Sequence, residues 1–585
     1  MRSPSSGPRR RELLAALGAT ALGSTAGCTD ALSRFAWSSP DDVSLTIATV
    51  PANVDTAATQ MARQLETNLE AAGINASYEP QSEGSVLRGA LMEQEFDLFI
   101  ARHPGVSDPD ELRGLLHTSF SEEAGWQNPF GFNEPGVDEL LTAQNTQTGT
   151  DRMGTVTELQ EQLFERQPFA VLAYPDHISV GSAALNLERT QSGLLGPLDY
   201  LRLGATNPDI DRLRVGHLGS AITRNRNPLS VAHHSRTEML GLLYEPLVRL
   251  VDGEYLPWLA ETVDWVDDAP ETTVRVTLRD DLEWHDGERL DATDAAFTYQ
   301  FLQDTAMGNE STPVPAPRFR SESSIVTSTS TPSNYTLELT FGDATRDVAL
   351  RSLTVPLLPR HVWIERTSLV RQYMTRALVW NNRQAIGSGP YRFENANVGN
   401  RLLLSKNEDH FLFDGRELDE RYDQFADGGA FDELLFDIVE HSRLLVIEVA
   451  DDSIDISSSP ILPKHASAAE SADSVELLSG DRGEFYMLGF NTRRHPMTNY
   501  QFRAAVARLI DRQYSVDEIM YGHATPSDSP LLRTEYLADE FAWDEQSNLG
   551  PFPGEAGEAD QKRARDVFRE AGFRYSNDGH LVTRD

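Results

Sequence analysis

Two adjacent histidines, His233 and His234, are the residues in this sequence with the most obvious capacity to bind a metal. A protein site for a transition metal ordinarily needs three or four converging ligands, and this pair supplies only two. The pair therefore has two readings, as ligand-binding residues or as ordinary polar surface. We keep His233 and His234 as candidate ligand-binding residues and predict no metal site.

The sequence lacks the familiar motifs of catalysis. It contains no HExxH pair, no P-loop, no GxSxG nucleophile elbow and no EF-hand loop. The acidic run over 417–427 does not have the ligand spacing of a calcium loop and is typical of a solvated face. We therefore predict a protein that is not an enzyme and that carries no cofactor.

The composition limits the class of partner. The chain has 585 residues, 90 acidic and 51 basic side chains, one cysteine and 39% hydrophobic residues. This apolar content supports a large folded body, and a net charge of −39 argues against nucleic-acid binding. Only Lys406, Lys464 and Lys562 are lysines. Such an acidic, arginine-rich surface is typical of proteins adapted to molar salt, although a GC-rich genome would also favour arginine.

The start of the chain has the pattern of an export signal. Three arginines at 9–11 precede an apolar stretch over 13–22 that is too short to span a bilayer. The pair Arg10-Arg11 resembles a twin-arginine signal, which exports proteins that are already folded. We predict that residues 1–27 form this signal.

The single cysteine stands where a lipid anchor would need it. Residues 25–28, Thr-Ala-Gly-Cys, resemble a lipobox in which Cys28 becomes the lipidated first residue of the mature protein. Thr25 departs from the usual aliphatic residue, so a free exported cysteine is the alternative. We predict lipidation of Cys28, a tether over 28–40 and a position on the outer face of the cytoplasmic membrane.

Hydrophobic periodicity predicts a mixed α/β body after the tether. Strands are predicted over 43–48 and 96–100, with a helix between them that ends at Gly73. Alternating apolar residues predict half-buried strands over 274–278 and 335–341. Further amphipathic helices are predicted near 153–166, 296–302, 502–510 and 564–571.

Seven short segments in the second part of the chain form an ordered set. They are LYEPL at 243–247, YLPWLA at 255–260, TLRDDLEWHDG at 277–287, ATDAAF at 292–297, GSGPY at 387–391, FNT at 490–492 and FRAA at 502–505. In order and spacing the set resembles the substrate-binding proteins of ABC importers for peptides and nickel, the solute-binding family 5.

The order of the remaining segments differs from that family. A family member runs on, after a segment like 571–573, to a strand, a helix ending in Ala-Gly-Ile and an Asp-Pro turn. Here such segments stand at the front, as Ala72-Gly73-Ile74 and Asp108-Pro109. We therefore predict a circular permutation with a new joint over 203–214. The alternative is a separate N-terminal domain followed by a truncated binding protein.

The resemblance implies an α/β, bilobal fold like that of periplasmic binding proteins of type II, in the large peptide-binding class. Such proteins capture ligand in an interlobe cleft by closing about a hinge. The predicted division assigns 213–478 to lobe I, with 181–212 as the return to that lobe and the joint. Residues 41–180 and 479–585 together form lobe II.

The segment before Pro109 departs from the family pattern. Peptide-binding relatives carry an aromatic residue and then an aspartate that pairs with the terminal amine of the peptide. Counting back from Pro109, the place of the aspartate is Gly105 and that of the aromatic residue is Arg102. Ordinary free-amine peptide recognition is therefore not expected, because a buried ammonium would lose its partner. Arg102 and His103, together with Asp108, are candidate residues for an anionic or polar ligand. Alternatively, Arg102 pairs with a neighbouring acid.

Three more candidate ligand-binding residues adjoin family motifs that border the cleft: Trp380, Tyr486 and Asn491. An aromatic ring there can stack on an apolar part of a ligand, and core packing is the alternative for Trp380. Asn491 follows a predicted strand and points either to ligand or to a turn.

The function implied by the resemblance is extracytoplasmic solute capture. We expect a monomer that delivers a small peptide-like, polar or anionic solute to the permease subunits of an ABC importer. The alternative is a surface sensor or adhesion protein that retains the binding fold without a transporter.

Overall fold

The computed structural model describes residues 42–187, 196–206, 210–230, 238–371, 374–426, 431–544 and 547–582. The predicted signal, Cys28, the tether, His233 and His234 lie outside these ranges. Within them the chain forms two α/β lobes, each with its own sheet and apolar core. The predicted α/β bilobal fold is thereby confirmed.

Seventeen strands of the described chain build three large sheets. They are β1 Ser44–Thr49, β2 Asn75–Pro80, β3 Leu98–His103, β4 Phe169–Pro175, β5 His177–Ser182, β6 Arg212–Leu218, β7 Ala260–Trp265, β8 Thr273–Leu278, β9 Ser328–Ser333, β10 Thr336–Thr340, β11 Tyr391–Asn397, β12 Arg401–Lys406, β13 Glu433–Val439, β14 Ile456–Ser457, β15 Val475–Gly480, β16 Phe485–Phe490 and β17 Ala524–Pro526.

Short antiparallel ribbons supplement these sheets. They pair Leu185–Asn186 with Gly204–Ala205, Val248–Val251 with Glu254–Pro257, Leu369–Arg371 with Met374–Thr375, Gly554–Glu555 with Glu558–Ala559, and Arg574–Tyr575 with Leu581–Val582.

The helices connect and cover the strands. They are α1 Thr56–Ala71, α2 Glu83–Leu87, α3 Glu111–Leu116, α4 Pro135–Ala143, α5 Gly149–Arg166, α6 Pro197–Arg202, α7 Ala292–Gln303, α8 Arg320–Ser324, α9 Arg346–Ser352, α10 Arg360–Trp363, α11 Arg376–Val379, α12 Asp423–Ala426, α13 Ser442–Ala450, α14 Ala466–Glu470, α15 Tyr500–Ala507, α16 Arg512–Tyr514 and α17 Gln561–Glu570.

Lobe II is built around a six-stranded sheet with the order β2-β1-β3-β16-β4-β17. Strands β1, β2 and β3 are parallel, and β16 runs antiparallel to both β3 and β4. Because successive side chains point to opposite faces, Leu98 and Ile100 join the core beneath α1, whereas Phe99 packs in the core beneath α5. The sheet therefore takes strands from 44–175 and from 485–526 into one body.

The two ends of the described chain also meet in lobe II. The amide of Val43 donates a 2.9 Å hydrogen bond to the carbonyl oxygen of Leu581. Asp42 and Val582 form an isolated antiparallel bridge beside it. The strand entering at Ser44 is thus continuous in space with the hairpin that ends at Val582.

Lobe I is built around a seven-stranded sheet with the order β11-β12-β13-β6-β14-β5-β15. A four-stranded sheet, β7-β8-β10-β9, packs into the same extended apolar core. Trp258, Trp284 and Trp363 are fully buried in that core. Such aromatic side chains bury large areas and dominate core energetics, so this region has a rigid centre.

Two chain crossings connect the lobes. The first is Asp176, between β4 in lobe II and β5 in lobe I, and the second is 481–484, between β15 and β16. The sequence-based boundaries at 180 and 478 fall inside β5 and β15, a few residues from these crossings. Short crossings of this kind are where hinge rotation concentrates its φ/ψ change.

A second contact between the lobes lies on helices α3, α8 and α9. Arg351 of α9 places its guanidinium 3.3 Å from the carboxylate of Asp110 and 3.2 Å from that of Glu111. Arg320 of α8 bonds Glu123 through two nitrogens, at 2.7 and 2.9 Å. These charge-assisted contacts fix the relative position of the lobes in this structure.

None of the helices in the described ranges is long and apolar enough to cross a membrane.

Candidate functional site

The space between the lobes contains two neighbouring cavities. One has a volume of about 700 Å³ and lies beside the crossing at Asp176. The other, of about 840 Å³, lies between α3, Phe319 and the crossing at 481–483. His103 and Pro104 line both cavities, so the end of β3 separates them. Two adjoining cavities between hinged lobes are a suitable site for a small ligand.

Strand register brings the lobe II side chains of the first cavity together. In the β3–β16 pair, Arg102 is opposite Tyr486 and His103 is opposite Phe485. Directly opposed residues share a face, so Arg102 and Tyr486 both face α1. Asp55 is the N-cap of α1, and its carboxylate accepts a 3.0 Å bond from the amide of Ala58.

Arg102 is held in an ionic cluster. Its Nε donates to Asp55 Oδ2 at 2.8 Å, and its guanidinium lies 4.9 Å from the centre of the Tyr486 ring. The Tyr486 hydroxyl donates to Asp55 at 2.9 Å, and Glu484 lies 3.8 Å from Arg102. Burial alone would lower the pKa of Arg102, but the neighbouring carboxylates outweigh burial and raise it. The structure thus shows Arg102 paired with acids, the alternative that the sequence left open, while its side chain lines the cavity.

His177 begins β5 at the first crossing. It is 2% exposed, and its Nε2 lies 2.9 Å from Glu484 Oε2. Its Nδ1 has no hydrogen-bond partner among the described residues. A buried imidazole nitrogen that lines a cavity without a partner can accept or donate a bond to a bound molecule.

His103 is packed between aromatic rings. Its ring centre lies 4.8 Å from that of Phe485 and 4.7 Å from that of Trp126. Its Nδ1 accepts a 3.1 Å bond from the amide of Gly105. His103 therefore acts as a packed aromatic ring at the boundary between the two cavities.

The backbone at Gly105 has no room for a side chain. Its φ is +104°, and a Cβ there would lie 2.5 Å from the carbonyl oxygen of Gly483 on the second crossing. A larger residue would have to displace that crossing, because L side chains rarely adopt this φ. The aspartate expected in peptide-binding relatives therefore cannot be accommodated at position 105 in this backbone.

Lobe I forms the opposite wall of the first cavity. His217, at the end of β6, places Nδ1 2.9 Å from the Ser458 hydroxyl. Burial lowers the pKa of His217 to about 4, so its ring is neutral at pH 7. The remaining polar residues of this wall follow β13 and β14: His441, Ser442, Arg443, Ser459, Lys464 and His465.

Three of the predicted site residues lie away from both cavities. Asp108 places its carboxylate 2.6 Å from Arg152 in a buried ion cluster. Trp380 packs on Trp363, with ring centres 5.3 Å apart. Asn491 donates to the carbonyl oxygen of Phe96 at 2.9 Å, which is a turn-stabilising role. His233 and His234 lie outside the described residues.

Sequence reasoning missed the lobe I wall and Asp55. The available signal was a concentration of cations in an acidic chain, because His441, Arg443, Lys464 and His465 all stand within 25 residues. Asp55 was detectable only as the N-cap of a predicted helix, since nothing in its sequence context indicates its pairing with Arg102. In the described ranges no three His, Cys, Asp or Glu side chains converge to hold a metal ion.

Comparison of the sequence with known proteins places the chain in one family of solute-binding proteins. Residues 254–584 match the family described as bacterial extracellular solute-binding proteins, family 5, middle. The nickel-binding periplasmic protein of Escherichia coli is 21% identical over 393 residues, covering 66% of this chain and 65% of that protein. The oligopeptide-binding protein AppA of Bacillus subtilis is 20% identical over 367 residues, covering 61% and 59%. The chain therefore spans less than two thirds of either relative.

Solved structures of the same kind are similar to this one. NikZ from Campylobacter jejuni in complex with Ni(L-His) has a TM-score of 0.45 and 18% identity, covering 64% of this chain and 65% of that chain. AppA from Bacillus subtilis in complex with a nonapeptide has a TM-score of 0.43 and 19% identity, covering 64% and 66%.

Proposed function

Because the chain belongs to the bacterial extracellular solute-binding proteins of family 5, we propose that it captures a small solute between its lobes and delivers that solute to an ABC importer. Members of this family are binding proteins rather than enzymes, and they act outside the cytoplasm. The relatives named for nickel and oligopeptide binding support solute capture as the role of the interlobe space here.

The observation that carries this proposal is the position of the first cavity. It has a volume of about 700 Å³, is lined by both lobes and adjoins the crossing at Asp176. A ligand bound there contacts both lobes at once and therefore stabilises the closed arrangement by the difference in its affinity for the two states. A permease can then distinguish loaded from empty protein by its shape.

The ligand is a polar or anionic solute rather than an ordinary free-amine peptide. Position 105 has no carboxylate, and the backbone of Gly483 leaves no space for one. Asp55 and Glu484 line the cavity but are already paired with Arg102 and His177. Binding an ammonium there would require breaking these pairs, at a cost that a single new ion pair does not recover.

The protein is lipid-anchored through Cys28 after export by the twin-arginine route. This part of the proposal rests on sequence, namely the arginines at 9–11, the apolar stretch over 13–22 and the small residues before Cys28. An anchored receptor stays next to its permease, which keeps the local concentration of loaded protein high.

The chain is a circular permutation of the usual family order. The continuity between Val43 and Leu581 and the mixed origin of the lobe II sheet support this arrangement. Strands β1 to β4 precede the matched segment 254–584, yet they pair with β16 inside it. A joint over 203–214 then connects the returning strand β5 to β6 within lobe I.

The test is mass spectrometry of small molecules released from the purified protein, prepared in molar KCl. We expect one class of solute in stoichiometric amount. Leu462 lines the cavity, so Leu462→Trp should abolish retention. Ile447, on an exposed part of α13 outside the cavity, provides the matched control, and Ile447→Trp should retain the solute. Equal retention by both variants would show that the solute is bound elsewhere.

A further inference from the structure

The two walls of the first cavity differ in charge. All four lining carboxylates, Asp55, Glu83, Asp176 and Glu484, belong to lobe II or to the crossings. The part of lobe I that lines the cavity, from Tyr200 to His465, contributes no carboxylate within the described residues. The chain as a whole has 90 acidic residues in 585. A cavity wall of this size without an acidic side chain is therefore unusual for this protein.

Cations concentrate on the same wall, in a group that we call the cationic wall: His441, Arg443, Lys464 and His465. Arg443 and Lys464 are exposed and line the cavity, and neither forms an ion pair with any residue that the structure describes. Burial and the like charges beside it both lower the pKa of His465. The positive charges of the group thus repel one another, and no carboxylate in the described ranges pairs with Arg443 or Lys464.

Hydroxyl groups and a helix terminus lie next to the cationic wall. Ser458 and Ser459 line the cavity, and the Ser459 hydroxyl is held at 2.9 Å by the amide of Leu218. Ser442 is the first residue of α13, a helix of nine residues whose N-terminus therefore faces the same space. Free amides and the helix dipole there favour negative charge and add to the four side chains.

The rest of the cavity suits an apolar group. Ile222 and Ile461 line it from lobe I, and Ile519, Met520 and Tyr521 line it from lobe II. Tyr521 is 58% exposed, so the face of its ring is available to a bound apolar group. An acid with an apolar body would cover these side chains while its charge lies on lobe I.

We propose that the cationic wall is an anion subsite, in which Arg443 and Lys464 bind the carboxylate of a small organic acid whose apolar body lies between the lobes. This assignment rests on the proposed solute-binding function. It makes the carboxylate, rather than an amine, the group that orients the ligand. The anion also neutralises the like charges of the wall.

At high salt concentration the carboxylate of the ligand must contact Arg443 or Lys464 directly in order to be attracted. At about 1 M salt the screening length is about 3 Å, so only contact ion pairs retain useful attraction. The arginine fork can bond both carboxylate oxygens, and lysine adds a point charge beside it. The subsite therefore distinguishes a carboxylate from other groups by hydrogen-bond geometry, and this selectivity persists at high ionic strength.

The test compares N-acetyl-leucyl-leucine with its C-terminal amide, measured by titration calorimetry on the ligand-free protein in molar KCl. These probes have the same apolar body, carry no amine and differ only in the carboxylate. We expect the acid to bind at least tenfold more tightly than the amide, because charge-assisted bonds are lost in the amide. The double variant Arg443→Gln/Lys464→Gln should bind the acid at least tenfold more weakly and the amide unchanged.

A matched control removes the same two charges elsewhere. Arg360 and Lys562 are exposed, lie outside the cavity and form no ion pair with residues in the described ranges. Arg360→Gln/Lys562→Gln should bind the acid like the wild type. Equal affinity for acid and amide, an unaffected Arg443→Gln/Lys464→Gln variant, or no binding of either probe would each overturn the subsite. The proposed solute capture is judged separately by the solute retained on purification, so its failure is distinguishable.

Discussion

The amide of Val43 lies 2.9 Å from the carbonyl oxygen of Leu581, so the residue just before the first described strand is hydrogen-bonded to the last described strand although more than 500 residues separate them in sequence. In the same lobe, Leu65 and Leu69 of α1 are buried in one apolar core with Phe568 of α17. Residues near both ends of the chain therefore stabilise the same lobe.

This proximity predicts that the chain can be rejoined. Linking Asp585 to Asp41 through a short flexible segment and opening the chain at Asn207 should give a folded protein with unchanged ligand retention, because no cavity residue moves. Its melting temperature should lie within a few degrees of the wild type in molar KCl. A matched opening inside β4, at Leu172, should prevent folding, because this strand is buried between β16 and β17. Failure of the Asn207 opening alone would contradict the permutation.

Local sequence patterns predicted the elements well because they rest on short-range physics. The predicted strand over 43–48 is Ser44–Thr49, and the helix predicted to end at Gly73 is Thr56–Ala71. Gly73 has a φ of +82°, as expected of a residue that ends a helix. The fold class followed from the family motifs, whose glycines and aromatics fix turns and core positions.

The candidate site was less predictable because it depends on long-range register. Arg102 and Tyr486 were both proposed from sequence, yet only the β3–β16 pairing shows that they share Asp55. Trp380 was proposed for the cleft and packs on Trp363 instead. Side chains in loops between lobes have no periodicity that would reveal which cavity they line.

Gly105→Asp should destabilise the protein and should not create an amine site. The new Cβ would meet the Gly483 carbonyl at 2.5 Å, and the φ of +104° adds backbone strain. We expect a loss of about 2–4 kcal/mol of unfolding free energy, measured by denaturant titration in molar KCl. Gly253→Asp isolates the strain, because its φ is +87° but its surroundings are open. That control should lose only about 1 kcal/mol. Equal losses of unfolding free energy in the two variants would show that the crossing at 481–484 moves aside to make room for the new side chain.

If Cys28 carries the proposed lipid anchor, Cys28→Ser should release the protein from cells into the medium, because no helix among the described residues is long and apolar enough to hold it in a membrane. The measurement is the partition of the protein between cell and medium fractions by immunoblot. Thr29→Ser is the matched control and should remain cell-bound. Cell-bound Cys28→Ser would contradict lipid anchoring.

Lowering the salt concentration should unfold the mature protein. After residues 1–27 are removed, 47 basic and 89 acidic residues remain, a net charge of −42. Self-repulsion acts over about 10 Å at 0.1 M salt but only about 3 Å at 1 M. We expect the melting temperature to rise steeply with KCl concentration and to rise similarly with NaCl. A melting temperature independent of salt would show that the acidic surface carries no such penalty.

Asp110 should make stability depend on acid pH through the contact between the lobes. Its carboxylate is 1% exposed and bonds Arg113 at 2.8 Å, with Arg351 of lobe I at 3.3 Å. Burial alone would raise the pKa of Asp110, but the two arginines outweigh burial and lower it to about 2. Because the pKa of this carboxyl group is lower in the folded state than in the unfolded state, its ionisation stabilises the protein at pH values above the unfolded-state pKa. This contribution disappears as the pH falls through the folded-state pKa.

The ionised form of Asp110 therefore contributes about 2 kcal/mol above pH 5, of which roughly half is lost by pH 3. Asp110→Asn should be less stable than the wild type at pH 7, and the difference should shrink as pH decreases from 5 to 3 in denaturant titrations. Asp267→Asn is the control, because Asp267 forms an exposed ion pair with Arg346. Its effect should stay below about 1 kcal/mol at every pH. A difference in stability between wild type and Asp110→Asn that does not change with pH would mean that folding does not lower the pKa of Asp110, and this would contradict the prediction.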